Sequence, residues 1–325
     1  MVREIAIDYG ALPIRCELQV AGAICRVATN SHAVEQALRT FQRRDLVRPA
    51  GEFSMQVLVT EGVGERRDIP HFRGLHHLVI ASFGGGNVFV FDLVRRNVVA
   101  TVGEQVAGDQ LFWDRLLLPI AMGVLGAAVG VVPVHCACLA VDGAGLLIAG
   151  SSGAGKSTLS VALAHSGCSF LSDDWTFLSQ TGGQLTAHGM STPAKLLPDC
   201  ESFFPFLAEY PIRPALNQEM AFELPPQDLN TQVELSCQPR WFLFLQRSTG
   251  ECRLDPVSPD EARRYVEGSV ERLPAELTDI AQRRTVIIEG ISSLSCWKLT
   301  YGGPPTVAVR GLQEFIAQQM RAMLA

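Results

Sequence analysis

The chain has 325 residues, of which 47% are hydrophobic and 18% are charged, and acidic residues outnumber basic ones 33 to 27 for a formal net charge of −6. This length predicts roughly two domains, and the hydrophobic content predicts a large core, which excludes a disordered protein. The acidic balance argues against a general nucleic-acid binder, which carries a basic excess. Charges at Arg3, Glu4 and Asp8 interrupt the N-terminus before an apolar segment develops, so we expect no secretory signal. The nine cysteines are scattered and form no C-x-x-C pair, which is typical of a reducing cytosol, so we expect a cytoplasmic protein.

Residues 1–105 predict a small α+β domain. Two strand-like segments, 15–20 and 23–28, flank a hairpin turn at Ala21 and Gly22. Further strand patterns lie at 55–59, 77–83, 88–93 and 97–102. The domain contains no motif that carries chemistry, and we interpret it as a substrate-docking module.

The strand pattern stops near residue 105, and residues 106–325 are predicted to form the second domain. It opens with an apolar segment, residues 116–134, that contains no charged residue and is long enough to cross a bilayer. Prolines and glycines interrupt this segment, and no cluster of Lys or Arg flanks it to fix an orientation. It also ends directly before the strands that lead into the phosphate loop described next. We therefore expect no membrane span but a buried helix packed beneath that loop.

The strongest motif is a full match to G-x-x-x-x-G-K-[ST], formed by Gly150, Ser151, Ser152, Gly153, Ala154, Gly155, Lys156 and Ser157. An apolar strand pattern precedes it and a helical pattern follows it. The backbone N–H groups of such a loop, together with a helix N-terminus, bind phosphate oxygens. Lys156 is expected to contact the β- and γ-phosphates, Ser157 to bind Mg²⁺, and Thr158 to complete the binding segment. A chance glycine-rich turn is the alternative, and it would not explain the flanking strand and helix.

The strand that enters the loop is predicted to be one arm of an antiparallel hairpin. Residues 134–141 alternate like a strand and residues 142–145 have the composition of a turn, whereas a parallel neighbour would need a longer crossover. Pairing residue 141 with residue 146 across a four-residue turn places His135 opposite Ser152. One interpretation is a histidine beside the phosphates; the other is a strand-end residue with a purely structural role.

Two adjacent carboxylates, Asp173 and Asp174, follow the next predicted strand. Open α/β sheets place ligand-contacting groups at the carboxyl ends of strands. One carboxylate can hold Mg²⁺ while the other accepts a proton from an attacking hydroxyl, whereas a simple ATPase needs only the first. A solvated Asp-Asp turn is the alternative interpretation.

These residues together resemble a known family. His135, the D-G-x-G turn, G-S-S-G-A-G-K-S-T and the S-D-D-W stretch are similar to the catalytic domain of HPr kinase/phosphorylase, and still more to HPr-kinase-related serine kinases, including those that modify lasso-peptide precursors. The resemblance is strong over residues 135–178 and weaker over 193–199 and 241–262. It does not extend to residues 1–102.

The resemblance implies an α/β catalytic domain with a mixed sheet, shared with phosphoenolpyruvate carboxykinase and preceded here by the small α+β domain. It implies an ATP- and Mg²⁺-dependent kinase acting on a serine of a peptide or small protein, in a family that is often oligomeric. Carried over by position, Ser157 binds Mg²⁺, the Asp173/Asp174 pair does the chemistry, and His135 matches the family's histidine. We favour Asp173 as the base and Asp174 as the carboxylate on the metal side. Spacing alone does not separate the roles of the two carboxylates.

Two departures narrow these implications. Thr158 stands where the HPr enzyme has a glutamate, and its downstream motif for phosphorylase activity and HPr docking has no counterpart here. HPr itself is therefore not the expected acceptor. Lys195, Arg213 and Arg240 are candidates for charge stabilisation at the transferring phosphate. A kinase of small hydroxylated metabolites and a non-catalytic ATP-binding regulatory module remain as alternative functions.

Overall fold

A computed structural model describes residues 11–42, 49–67, 69–190, 192–215, 219–249, 251–270 and 277–324. The N-terminal segment that argues against a secretory signal lies outside these ranges. The chain forms two compact units, Met1–Val129 and Gly130–Ala325. Both combine helices with sheets that contain parallel and antiparallel strand pairs, so the fold class is mixed α/β.

The first unit is built on a seven-stranded sheet in the order β1-β2-β3-β7-β6-β5-β4. Its strands are β1 (Ile14–Val20), β2 (Ala23–Thr29), β3 (Gly51–Val59), β4 (His71–Leu75), β5 (Leu78–Ser82), β6 (Val88–Asp92) and β7 (Asn97–Val102). The predicted first hairpin is confirmed, with Ala21 and Gly22 at φ 45° and 82°. Strand β4 was not predicted, because its residues are all exposed and lack an apolar alternation. The unit's first helix is α1 (His32–Ala37), whose N-terminus is capped by the Ser31 side chain.

The apolar segment is a core helix of this first unit and not of the second. After α2 (Glu104–Ala107), a continuous helix runs from Gln110 to Val129 through α3 (Gln110–Phe112), a π-helical turn (Trp113–Leu117), α4 (Leu118–Leu125) and a final 3₁₀ turn (Gly126–Val129). It packs against β3 and β6. The ring of Phe112 lies edge-on to Phe83, and the ring of Trp113 lies edge-on to Phe89.

Two predictions are corrected by this packing. The first unit extends to Val129 instead of residue 105, because the helix buries its aromatic side chains in the N-terminal sheet. The predicted helix over 116–134 ends at Val129, and Val132–Val134 form a strand. Within the described residues this is the one helix long and apolar enough to cross a membrane, but 67% of its apolar window is buried inside the protein, as in the core helix of a soluble protein.

The second unit contains a nine-stranded mixed sheet in the order β11-β9-β10-β17-β13-β12-β8, with β19 also beside β17 and β18 beside β19. Its strands are β8 (Val132–Val134), β9 (Ala137–Val141), β10 (Ala144–Gly150), β11 (Ser169–Ser172), β12 (Thr176–Thr181), β13 (Gln184–His188), β17 (Ser236–Arg247), β18 (Arg253–Pro256) and β19 (Ser295–Tyr301). A separate small sheet, ordered β14-β16-β15, contains β14 (Ala194–Leu196), β15 (Ile212–Pro214) and β16 (Met220–Leu224). Three 3₁₀ turns complete this region: Pro198–Ser202, Pro205–Glu209 and Pro226–Leu229.

Helices cover both faces of the large sheet. The long helices are α5 (Lys156–His165), α6 (Pro259–Glu267), α7 (Thr278–Ser292) and α8 (Pro305–Leu324). Helices α5 and α8 share one apolar core with Leu146, Ile148 and Leu243. On the other side, Phe244 stacks on Tyr265 of α6 with ring centroids 3.7 Å apart. Alternate residues of β10 and β17 thus face opposite helical layers, as the two-residue period of a strand dictates.

Candidate active site

The phosphate-loop motif lies between β10 and α5, as predicted. Gly153 and Gly155 adopt φ of 74° and 94°, conformations that favour glycine, and Gly155 is the residue from which α5 begins. Lys156 is buried, and its Nζ donates to the backbone carbonyls of Gly150 at 3.1 Å and Ser151 at 3.4 Å. The loop therefore places an ammonium group and the N-terminal N–H groups of a helix together, which is the arrangement that attracts phosphate.

Within the loop, exposure differs between the predicted residues. Ser151, Ser152 and Gly153 are exposed, whereas Ala154 is buried and its N–H donates to the carbonyl of Ser151. Thr158 is also buried, with its hydroxyl 3.4 Å from Cys200 Sγ. The Thr158 side chain is thus engaged with the core, and only its backbone could contribute to a phosphate site.

The antiparallel hairpin before the loop is confirmed, but its register differs from the prediction by two residues. Strand β9 pairs with β10 from Val141 opposite Ala144 to Ala137 opposite Ile148. The turn consists of only Asp142 and Gly143, with φ of 48° and 77°, as in the tight turns that match strand twist. Continued past the strand end, this register brings His135 level with Gly150, at the start of the loop, instead of Ser152.

His135 and Asp174 lie in direct contact, 2.6 Å apart between Nε2 and Oδ1. The His135 backbone is held by a hydrogen bond to the Ser269 carbonyl, and its ring lies 5.5 Å from that of Trp175. Burial raises the pKa of Asp174, but the hydrogen bond and charge of His135, aided by Lys156, outweigh burial and leave the pKa below its ordinary value. Asp174 is therefore ionised at neutral pH, and its side chain is 62% exposed.

Asp173 has the opposite environment, because it is only 3% exposed. Ser160 Oγ donates to its Oδ1 at 2.9 Å, and the Lys195 backbone N–H donates to its Oδ2 at 3.0 Å. Burial raises its pKa to about 6, against the hydrogen bonds from Lys195, Ser160 and Ser157 that lower it. Two neighbouring carboxyl groups thus differ in proton affinity, an arrangement that separates acid–base and charge-holding roles.

A hydrogen-bond network positions the turn that carries both carboxylates. Ser172 and Thr176 flank this turn, and their hydroxyl oxygens lie 2.6 Å apart. The Thr176 hydroxyl also lies 2.8 Å from the carbonyl of Cys136, next to His135. The histidine and the carboxylate turn are therefore tied together through the backbone as well as through their side chains.

The donor set fits Mg²⁺. Ser157 contributes to the hydrogen bonding of Asp173, and Asp174 follows in the same turn, so a hydroxyl and two carboxylates lie at one edge of the sheet. Mg²⁺ prefers such oxygen ligands, few from the protein and the rest from water and substrate phosphates. The predicted metal residues Ser157 and Asp174 are thus compatible with that ion.

The predicted charge-stabilising residues differ in position. Lys195 lies at the site, because its backbone N–H binds Asp173 and its charge helps to lower the pKa of Asp174. Lys195 Nζ pairs with Glu219 at 2.7 Å, and Arg213 is exposed in β15. Arg240 lies near the start of β17 and donates to Gln238, whereas the loop lies level with the end of that strand. Sequence reasoning missed Arg247, the last residue of β17. The signal that could have indicated it was a positive charge just after the apolar strand pattern of residues 241–245.

Comparisons with known proteins leave the chain without an assigned family. No protein-family model matches it, and no curated protein matches it. Among solved structures it is similar to the HPr(Ser) kinase/phosphatase from Coxiella burnetii, with 18% identity, 59% of this chain and 92% of that chain covered, and a TM-score of 0.31. At that TM-score the likeness decides neither the fold nor the activity of this chain.

Proposed function

We propose that the chain is an ATP- and Mg²⁺-dependent kinase that transfers the γ-phosphate to a serine hydroxyl of a peptide or small protein in the cytoplasm. The observation that carries the proposal is the carboxylate pair beside the phosphate loop. Asp173 is buried with a raised pKa, and Asp174 is exposed and ionised against His135. Nucleotide binding alone does not need a second carboxylate with a raised pKa, whereas transfer to a hydroxyl uses a base.

The loop supplies the binding part of the proposed reaction. Backbone N–H groups around Gly155 and the Lys156 ammonium would hold the β- and γ-phosphates at the N-terminus of α5. Ser157 and Asp174 would hold Mg²⁺, which neutralises phosphate charge when bound. His135 fixes the orientation of the Asp174 carboxylate through their short hydrogen bond.

Proton transfer is assigned to Asp173, because a base works best with a pKa near the operating pH and its pKa is about 6. In the balanced step, the serine oxygen bonds to the γ-phosphorus, the bond to the β–γ bridging oxygen breaks to release ADP, and Asp173 takes the hydroxyl proton. Because Asp173 is only 3% exposed, the acceptor hydroxyl would have to enter the site to contact its carboxylate. The exposed Asp174 is the competing candidate for the base, and its lowered pKa disfavours it.

The test is phosphate transfer from ATP with Mg²⁺ to two acceptor sets, serine-containing peptides and small hydroxylated metabolites, read by mass. Phosphopeptide formation that is lost in Lys156→Ala and Asp173→Asn supports the proposal. Phosphorylated metabolites alone would indicate the small-molecule alternative, and ATP binding without any product would indicate a regulatory module. Full transfer by Asp173→Asn would show that the base is assigned incorrectly.

A further inference from the structure

Arg247 reaches the phosphate loop from a distant part of the sequence. Strand β17 is the parallel neighbour of β10, with Leu245 paired to Gly150, the first residue of the loop. Parallel strands end at the same edge of a sheet, so Arg247, two residues beyond Leu245, lies at the loop edge. Strand β19 pairs in parallel with the other edge of β17, and it places Tyr301 beside Arg247.

The two side chains contact the loop at Gly155. A Cβ atom built on Gly155 would lie 3.1 Å from Arg247 Nη2, 3.3 Å from Arg247 Nε and 3.3 Å from Tyr301 Oη. The guanidinium carbon also lies 5.3 Å from the centre of the Tyr301 ring, within the range of a cation–π contact. The absence of a side chain at position 155 therefore lets both groups approach the N-terminus of α5.

Both groups have hydrogen-bonding capacity that the described part of the chain does not use. Tyr301 is fully buried, and its hydroxyl has no hydrogen-bond partner there. Burial raises the pKa of this phenol, although Arg247 opposes the shift, so the hydroxyl stays protonated and can donate. Arg247 is exposed and forms no ion pair with any carboxylate among the described residues. A buried polar group without a partner is costly and rare in native proteins.

We propose that Arg247 and Tyr301 form a second oxyanion subsite of the phosphate loop, which binds a phosphate oxygen of the nucleotide. The proposal rests on the proposed nucleotide-binding function and adds two residues to it. Arginine suits this task because its planar fork can donate two parallel hydrogen bonds to a phosphate. The Tyr301 ring holds the guanidinium in place, and its hydroxyl donates to the same anion.

The experiment measures the affinities of ATP, ADP and adenosine in the presence of Mg²⁺ by calorimetry on the full chain. Arg247→Gln removes the charge, and Arg240→Gln is the matched control, because it makes the same change near the opposite end of the same strand. Tyr301→Phe removes only the hydroxyl and keeps the ring. Thermal unfolding of every variant reports whether the fold is preserved.

We expect Arg247→Gln to weaken ATP and ADP binding by about 10- to 150-fold, since a hydrogen bond to a charged group has a net worth of about 1.5–3 kcal/mol. Arg247→Gln should bind adenosine as tightly as the unmodified protein does. The Arg240→Gln variant should keep the affinities of the unmodified protein for all three ligands. Tyr301→Phe should weaken ATP binding about fivefold, because one hydrogen bond to the phosphate is lost. The thermal midpoint should not fall, since this hydroxyl has no hydrogen-bond partner in the described part of the free protein. A purely structural role of this hydroxyl would not produce that combination.

Other results would overturn the subsite. Unchanged ATP affinity in Arg247→Gln would refute it while leaving the kinase proposal intact. An equal loss for adenosine would place Arg247 at the nucleoside instead of the phosphates. If the unmodified chain bound none of the three ligands, the proposed nucleotide-binding function itself would fail, and the subsite with it. Should Arg247→Gln unfold, Arg247→Lys, which keeps the charge but removes the planar fork of donors, and Tyr301→Phe replace it: each should weaken ATP and ADP binding but not adenosine binding, and unchanged ATP affinity in both would refute the subsite.

Discussion

Replacing Asp173 with asparagine should make the protein more stable at pH 7, although it should abolish phosphate transfer. The pKa of this buried carboxyl is raised from 3.8 to about 6. Between about pH 4 and pH 6 the folded protein therefore holds a proton that the unfolded chain has released. Stability must fall as the pH rises through that interval, and at pH 7 the ionised, buried carboxylate destabilises the fold.

The size of the effect follows from the difference between the two pKa values. Each pKa unit of difference corresponds to 1.36 kcal/mol, so the ionised Asp173 should lower the free energy of unfolding by about 3 kcal/mol at pH 7. Asparagine can replace the neutral acid here. Its oxygen can accept from the Lys195 N–H, and its amide can donate to Ser160 Oγ, which then donates to the Ser157 carbonyl 3.0 Å away.

The assay is urea and thermal unfolding of both proteins from pH 4 to pH 8 at constant ionic strength. Asp173→Asn should gain about 3 kcal/mol at pH 7, or about 6–12 °C in midpoint for a unit of this size, and the gain should disappear near pH 4. Asp174→Asn is the control with the opposite sign. The pKa of Asp174 is lowered in the folded protein, so the ionised carboxylate stabilises the fold at pH 7 and the variant should lose that stability. The loss should be less than about 1 kcal/mol because the pair with His135 is exposed.

Two results would refute this reasoning. Asp173→Asn could be no more stable than the unmodified protein at pH 7, or its gain could be the same at pH 4 and pH 7. Either result would mean that Asp173 does not hold a proton in the folded state between those pH values. The case for Asp173 as the base would then lose its physical support.

Three further predictions concern other parts of the chain. His135→Ala removes the main interactions that lower the pKa of Asp174, so a carboxyl carbon-13 titration of Asp174 should move to higher pH. Gly143→Ala should cost roughly 1 kcal/mol in urea unfolding because φ is 77°, whereas Gly143→Asn should cost less, as asparagine tolerates this conformation; equal costs would contradict the turn geometry. A fragment of residues 1–129 should unfold cooperatively and a fragment of residues 1–105 should not; a cooperative transition in the shorter fragment would contradict the packing of the apolar helix.

Short-range features of the candidate site could be predicted from the sequence. The phosphate loop needs only consecutive residues, so G-x-x-x-x-G-K-[ST] located it between the correct strand and helix. The antiparallel hairpin was also predictable from alternation. Its register was not, because the turn length depends on whether Asp142 adopts positive φ, and an aspartate does so only in some contexts.

Features that depend on long-range packing could not be predicted. Arg247 and Tyr301 reach the loop because β17 pairs in parallel with β10 and β19 pairs in parallel with β17, and nothing local in the sequence specifies that order. The boundary of the first unit was misplaced for a similar reason. Hydropathy marks the apolar helix as buried, but only the contacts of Phe112 and Trp113 show which sheet covers it.

The position of β17 has a consequence for how the chain folds during synthesis. The hairpin of β9 and β10 can form as soon as it leaves the ribosome, but the other edge of β10 stays open until Ser236–Arg247 has been made. The same is true of the edge of β13 that β17 covers. An interrupted chain would thus display two unpaired edges prone to aggregation. Strand β17 covers both edges when it pairs with β10 and β13, and it ends at Arg247. The same pairing therefore protects the edges from aggregation and places Arg247 beside the phosphate loop.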